Sequence, residues 1–235
     1  AGGFYEGVKR GYEKGYDWLW LMDDDGLPDL TCLENLLKYE KNGDFLAPLV
    51  INKDKKDELS FGIYDEKNGK LIKNLEEIKE KIYENTANPF NGVLISKRLV
   101  QKIGYPKKEM FIWGDEVEYQ MRAIYNGFKV LTIANAIYYH PKGRIQQEKI
   151  LNLFYINWNS SRLKIYCHIR NKAYIIKKYS KFKLLSVFKI YLKYFLASLF
   201  KRNLSMFIFF HKSFLDGWNE VWGKEKNIRE NKCAE

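Results

Sequence analysis

Three adjacent carboxylates, Asp23-Asp24-Asp25, follow directly on the apolar run Trp18-Leu19-Trp20-Leu21-Met22 and precede Gly26-Leu27-Pro28. An apolar run stopped by Gly and Pro reads as a buried strand. The acids then stand at a strand's carboxyl end, where open α/β sheets hold their ligands. Adjacent anions repel one another unless a cation or strong donors share the site. A divalent ion carrying a diphosphate suits hard oxygen donors of this kind. The competing reading is a solvated acidic turn, which would explain an isolated triplet; the residues downstream argue against it.

A second acidic pair lies in Phe111-Ile112-Trp113-Gly114-Asp115-Glu116-Val117-Glu118-Tyr119. Asp115 and Glu116 open an expected helix, and the helix dipole favours anions there, so ordinary N-terminal charge is one reading. Trp113-Gly114 points the other way. Glycine lets a backbone approach a ligand closely, and Trp offers a flat wall for a sugar face. A carboxylate in such a pocket can act as general base towards an acceptor hydroxyl. His140 ends a strand in Tyr138-Tyr139-His140-Pro141. A lone His is often structural, but a metal held by two carboxylates commonly takes an imidazole too. Asp23, Asp25 and His140 would make one ligand set if both strand ends reach the same sheet edge. Lys142 and Arg144 are either phosphate contacts or solvated surface cations. His168 and His211 receive no catalytic role.

The elements that must position these groups follow from periodicity. Residues 4–15, 29–41, 97–103 and 116–125 read as helices, with Asp29 as N-cap of the second. Residues 17–22, 45–51, 90–96, 130–133 and 136–139 read as strands. Residues 52–84 are charged and read as a loop with a surface helix over 75–83. Strands alternating with helices predict an α/β architecture. Beyond Pro141 the pattern changes. Residues 148–222 hold no Pro and one Gly, and predict helices over 148–175, 180–201 and 204–222. Residues 187–200 (VFKIYLKYFLASLF) carry Lys189 and Lys193 and fall short of the roughly 20 apolar residues of a spanning helix. Aromatics interleaved with Lys fit a helix lying in an anionic membrane interface; a bundle with its lysines in water is the alternative.

A chain of 235 residues with 46% hydrophobic content can bury a full core and an appendage. Its net charge of +11 suits anionic lipid, a phosphorylated substrate or nucleic acid. Zinc-finger spacing, an RNA-recognition signature and a recognition-helix pattern are all missing, so no nucleic-acid partner is expected. Cys32, Cys167 and Cys233 are odd in number and scattered, which predicts a reducing compartment rather than a disulfide framework. The chain opens Ala1-Gly2-Gly3 and enters a helix at once, whereas an α/β domain ordinarily opens on a strand. An upstream segment is therefore expected.

Taken in order, AGGFYEGVKRGYE (1–13), WLMDDDGLP (20–28), FNGVLISKRLVQKIG (90–104), FIWGDEVEYQMRA (111–123), YYHPKGR (138–144) and SRLKIYCHIRN (161–171) resemble the family-2 inverting glycosyltransferases of GT-A fold. The spacing suits the branch of galactofuranosyl and rhamnosyl transferases. The resemblance implies a Rossmann-like GT-A nucleotide-sugar transferase core over residues 1–145, without its N-terminal strands, and a basic, aromatic-rich helical region over 146–235. It implies Mg²⁺ or Mn²⁺ on Asp23, Asp25 and His140, with Asp24 near the ribose or sugar. The base falls on Glu116, with Asp115 as second choice, and Asn88, Phe90, Asn91, Trp113 and Gly114 fall on substrate. Trp113-Gly114 departs from the more acid-rich spelling usual in that branch, which leaves the acceptor open. The implied activity is sugar transfer from a UDP-galactofuranose- or TDP-rhamnose-type donor to a glycan or lipid-linked acceptor. Its implied place is the cytoplasmic face of the plasma membrane. A metal-dependent nucleotidyl or phosphoryl transferase would also use clustered aspartates, but would want a phosphate-gripping Gly-rich or basic motif beside them. A non-catalytic basic membrane-binding protein is the third reading.

Overall fold

A computed structural model describes residues 1–142, 148–150, 152–157 and 160–230. Arg144 and Cys233 lie outside the described residues. Two units form, Gly2–Pro106 with Glu116–Gly143, and Lys107–Asp115 with Arg144–Glu235 and Ala1. The expected boundary at residue 145 lies beside the Gly143/Arg144 division, and the Lys107–Asp115 segment with Trp113-Gly114 groups with the C-terminal helices.

The first unit opens with helix α1 (Gly2–Glu13), followed by β1 (Trp18–Met22), β2 (Leu27–Pro28), α2 (Cys32–Leu37) and β3 (Phe45–Asn52). Then come β4 (Glu58–Asp65), β5 (Lys70–Asn74), β6 (Ile82–Glu84), β7 (Asn91–Ser96), α3 (Lys97–Ile103), α4 (Asp115–Tyr125) and β8 (Val130–His140). Strand β3 is buried at every residue. It pairs in parallel with β8 along its whole length, and antiparallel with β7 at its start and β4 at its end. Strand β1 pairs antiparallel with β7. Two reversals and one parallel step therefore run β1, β3 and β8 in the same direction, so their carboxyl ends share an edge. Asp23 follows one of these ends and His140 closes another.

Several expectations are corrected. Strand β1 lies at the edge of the sheet, paired among the described residues with β7 alone. Only Leu19 and Leu21 are buried in it, while Trp20 donates its indole N–H to Gly92 O at 2.8 Å. Residues expected as loop and surface helix form the β4–β5 hairpin and β6; only residues 75–77 make a helical turn, of 3₁₀ type. The hairpin turns at Asn68-Gly69, where Gly69 takes φ +63°, and Asn-Gly is the strongest short hairpin signal. The two strands expected over 130–139 are one, because the register steps from Pro48↔Ile133 to Leu49↔Ile137 and absorbs the excess residues as an irregularity. Helix α2 is shorter than expected. Asp29 Oδ1 accepts from Thr31 N at 3.1 Å in a turn before the helix rather than capping it.

The second unit begins with the hairpin β9 (Glu148–Ile150) and β10 (Phe154–Ile156), where helix was expected. Helix α5 (Arg162–Tyr179) starts only at Ser161, whose hydroxyl accepts from Lys164 N. Helices α6 (Lys183–Phe200), α7 (Leu204–Trp218) and α8 (Glu225–Glu230) follow. Ile165, Ile169, Ile190, Tyr194, Phe210 and Phe214 form the centre of their core. Gly217 is where α7 meets α5, since a Cβ there would stand 1.8 Å from Arg170 O.

Candidate functional site

His140 Nε2 lies 3.2 Å from Asp23 Oδ2 and 2.9 Å from Asp25 Oδ1. One donor atom from each of the three residues falls within 4.8 Å of the others. Neighbouring ligands of an octahedral ion with bonds near 2.1 Å stand about 3 Å apart, so the spacing fits a divalent cation. His140 Nδ1 lies 2.5 Å from Pro141 O. A proton on Nδ1 makes that hydrogen bond and leaves the Nε2 lone pair for a metal. Two carboxylates supply hard oxygen donors and the imidazole one nitrogen donor, a set that could hold a divalent ion. Burial raises the Asp23 carboxyl above its ordinary range; His140 and a hydrogen bond from Tyr138 pull it back, and Asp25 pushes it up again.

Local chain geometry explains the meeting. After Asp25 the chain turns at Gly26, and β2 runs back antiparallel along β8 with Leu27 opposite Tyr139 and Pro28 opposite Tyr138. The Tyr138 hydroxyl donates to Asp23 Oδ1 at 3.1 Å. Its ring occupies space that only glycine leaves: a Cβ on Gly26 would come 2.2 Å from Tyr138 Cε1, and one on Gly92 would come 2.6 Å from Cδ2. His140 is held from β3 and β4. Ser60 Oγ donates to His140 O at 2.6 Å, Lys53 N donates to the same oxygen at 3.1 Å, and the Phe61 ring lies 5.1 Å from the imidazole. Sequence reasoning missed Tyr138, Ser60 and Phe61. The Tyr138-Tyr139 pair beside His140 was a visible signal; for Ser60 and Phe61 there was none, since they lie 80 and 79 positions away.

A cavity of about 640 Å³ opens beside the acids, lined by Asp24, Asp25, Gly26, Leu27, Lys53, Lys56 and Tyr139. Exposed Asp24 faces it, and two ammonium groups stand with the acids. Lys142, one candidate phosphate contact, is instead paired with Glu58 at 2.6 Å.

In the DE-x-EY-x-x-R stretch the later members are structural. Glu118 is fully buried and pairs with Arg122 at 2.8 Å. Arg122 also donates to Ile103 O at 2.6 Å and Tyr105 O at 3.0 Å, while Tyr119 donates to Gly104 O at 3.0 Å. Together they tie α4 to the end of α3. Asp115 is buried, with the Ala1 amino group 3.2 Å away, and Glu116 is partly exposed.

Phe90 is corrected from pocket wall to core. Its ring stacks on Phe4 at 3.9 Å and stays 4% exposed, with φ +67° in the turn just before β7. Asn88 and Asn91 each keep one buried polar atom without a hydrogen-bond partner, Nδ2 and Oδ1 respectively.

In the second unit, Trp113 and Gly114 sit on a backbone with positive φ at Phe111 (64°), Trp113 (58°) and Gly114 (109°). Non-glycine residues pay roughly 1–2 kcal/mol each for that conformation. Asn171 and Arg170 of α5 hold it. Asn171 Nδ2 donates to Met110 O, Ile112 O and Trp113 O at 2.9, 3.2 and 2.6 Å. The Arg170 guanidinium, fully buried, donates to Glu109 O and Met110 O and pairs with Glu225 at 2.7 Å.

The chain is similar in sequence to galactofuranosyltransferases. It is 30% identical over 194 residues to galactofuranosyltransferase GlfT1 of Mycolicibacterium smegmatis, a match covering 79% of this chain and 64% of that protein. GlfT1 of Mycobacterium tuberculosis also matches at 30% identity over 194 residues, covering 79% of this chain and 63% of that protein. The chain thus spans just under two thirds of the length of these curated relatives. No protein-family model matches it. A solved structure of GalNAc-T7 with UDP, GalNAc and Mn2+ is a looser likeness, with TM-score 0.46 and 15% identity over 75% of this chain and 35% of that chain.

Proposed function

We propose that this chain takes part in metal-dependent, inverting transfer of a sugar from a UDP-galactofuranose- or TDP-rhamnose-type donor to a glycan or lipid-linked acceptor in cell-surface polysaccharide synthesis. The observation that carries the reading is the meeting of Asp23, Asp25 and His140 at one sheet edge, with donor atoms within 4.8 Å of one another. Mg²⁺ or Mn²⁺ held there would neutralise charge on the departing nucleoside diphosphate. Asp24 faces the cavity where the donor's ribose or sugar would lie, and Lys53 and Lys56 add positive charge beside it. Asn88 and Asn91 offer unpartnered polar atoms to the donor. Glu116 accepts the proton of the acceptor hydroxyl. Its partial exposure favours it over buried Asp115. The hydroxyl oxygen bonds to the anomeric carbon as the bond to the diphosphate oxygen breaks on the opposite face, which inverts configuration. Trp113 offers a flat apolar face suited to a sugar ring, and Gly114 lets the chain pass close to Asn171, whose Cβ would stand 3.0 Å from a Cβ there.

We place the work at the cytoplasmic face of the plasma membrane, with the protein bound peripherally. No helix among the described residues is long and apolar enough to cross a membrane. Leu184, Phe188, Leu192, Phe195 and Leu199 are exposed on α6 at spacings of three and four, with Lys189 among them. An apolar stripe amid lysines favours an anionic interface. Sedimentation with phosphatidylglycerol vesicles at low salt should carry the protein down; no binding there removes the membrane assignment.

Radiolabelled donor turnover tests the reaction. Transfer that stops with EDTA, releases UDP or TDP, and disappears in Glu116→Gln with donor binding kept is the expected result. Release of pyrophosphate would indicate nucleotidyl transfer instead. Full activity in Glu116→Gln would remove the base.

A further inference from the structure

Lys164, His168 and Lys172 follow one another at intervals of four along α5 and so share a face of that helix. Trp113 lies against this face. Its ring meets His168 edge-on at 6.1 Å between centroids, and Lys164 Nζ stands 5.5 Å from its centre. Lys193 of α6 reaches the same place, where its charge and that of Lys172 both act on His168.

Several cations of this unit have anions. Lys177 and Lys178 share Glu220, Lys224 pairs with Asp216, and Arg170 pairs with Glu225. Lys164, Lys172 and Lys193 have no carboxylate within ion-pair distance among the described residues. Burial, then the charges of Lys172 and Lys193, push the His168 imidazole down to about 4. Burial holds the Lys172 ammonium below its ordinary range, although its side chain still reaches solvent. Burial and Lys172 do the same to Lys193. Like charges held close together are unfavourable by themselves, and the arrival of an anion reverses that cost.

We propose that Lys164, His168, Lys172 and Lys193 form an anion subsite beside Trp113 that takes a phosphate group, carried by the acceptor. Naming the carrier as acceptor rests on the transfer reading above; the phosphate chemistry does not. A phosphate dianion offers three oxygens to ammonium groups, while Trp113 covers an attached sugar.

The test uses the full chain in EDTA, which keeps metal away from the acid triplet. Inorganic pyrophosphate is titrated calorimetrically, and phosphatidic acid vesicles are compared with phosphatidylcholine vesicles by sedimentation. The variant is Lys172→Met with Lys193→Met, which keeps the apolar stems; Lys172→Gln with Lys193→Gln is the second pair should the first misfold. At least tenfold weaker pyrophosphate binding in the variant, with unchanged circular dichroism and an equal or higher melting temperature, is expected. If only phosphatidic acid vesicles show that dependence, the phosphate comes from a lipid headgroup. If neither probe binds, or binding ignores the lysines, the subsite is overturned. Donor turnover with a glycan acceptor, read as UDP or TDP release in Mn²⁺, separates the two readings. Turnover with lysine-independent phosphate binding removes the subsite alone, and no turnover with lysine-dependent binding removes the transfer reading alone.

Discussion

Tyr138 donates its hydroxyl to Asp23 Oδ1 at 3.1 Å across 115 positions of sequence, and its ring fits between Gly26 and Gly92. That contact makes the acidic loop part of the sheet rather than a free turn, and it orients one proposed metal-binding oxygen.

Removing the contact should weaken metal binding while leaving the three donors in place. Tyr138→Phe is expected to lower Mn²⁺ affinity about tenfold, in keeping with partners that orient metal ligands. Gly26→Ala should do at least as much, because its Cβ displaces the tyrosine ring. Electron paramagnetic resonance of free Mn²⁺ measures both. Wild-type affinity in both variants would show that Tyr138 does not position Asp23.

The donors themselves should appear in metal-linked stability. A cation that binds only the folded chain at a hundred times its Kd adds about 2.7 kcal/mol. Saturating Mn²⁺ should therefore raise the melting temperature of the wild type, and Asp25→Asn or His140→Ala should abolish the increase. A metal-dependent rise that survives both changes would place the ion elsewhere.

Asp44 gives a prediction for pH. Burial opposes its charge, but hydrogen bonds from Arg98 and Ser96 and the Arg98 charge prevail, so its carboxyl sits below the ordinary 3.8. A depressed folded-state value means that the unfolded chain takes up the proton first as pH falls. The contribution is thus fully present above 3.8 and lost as pH drops through the folded value. Asp44→Asn should cost about 1 kcal/mol at neutral pH, with solvent screening the exposed Arg98 side. The cost should shrink towards pH 2–3, as followed by urea midpoints. An undiminished difference in acid would assign Asp44 a packing role only.

Asn171 holds three carbonyls of the strained Trp113 segment. Asn171→Ala should destabilise the chain by roughly 1–3 kcal/mol through unsatisfied buried carbonyls. If Trp113 serves the acceptor, it should also raise the acceptor KM more than it lowers donor binding. Equal losses for donor and acceptor would point to general unfolding instead.

How much of this was legible depended on range. Asp23-Asp24-Asp25 at a strand end, helix α3 between Ser96 and Gly104, and the start of α4 were readable because caps, breakers and apolar runs act over a few residues. The β4–β5 hairpin was equally local. Its Asn68-Gly69 turn was passed over because the Lys/Glu-rich flanks imitate a surface helix. The edge position of β1, the return of β2 along β8 and the inward Phe90 depend on partners tens of residues away.

The amino-acid sequence alone determined which groups can do chemistry: the acid triplet, the Asp115-Glu116 pair, a single strand-end imidazole, and a basic aromatic tail. Side-chain type and local periodicity are properties of the chain itself. Only the tertiary structure decided that His140 meets Asp23 and Asp25, that Tyr138 needs two glycines to reach them, and that Arg170 and Asn171 hold the Trp113 segment. Those pairings arise from sheet register and helix packing, which balance burial against chain entropy over the whole molecule and leave no mark on any short stretch of sequence.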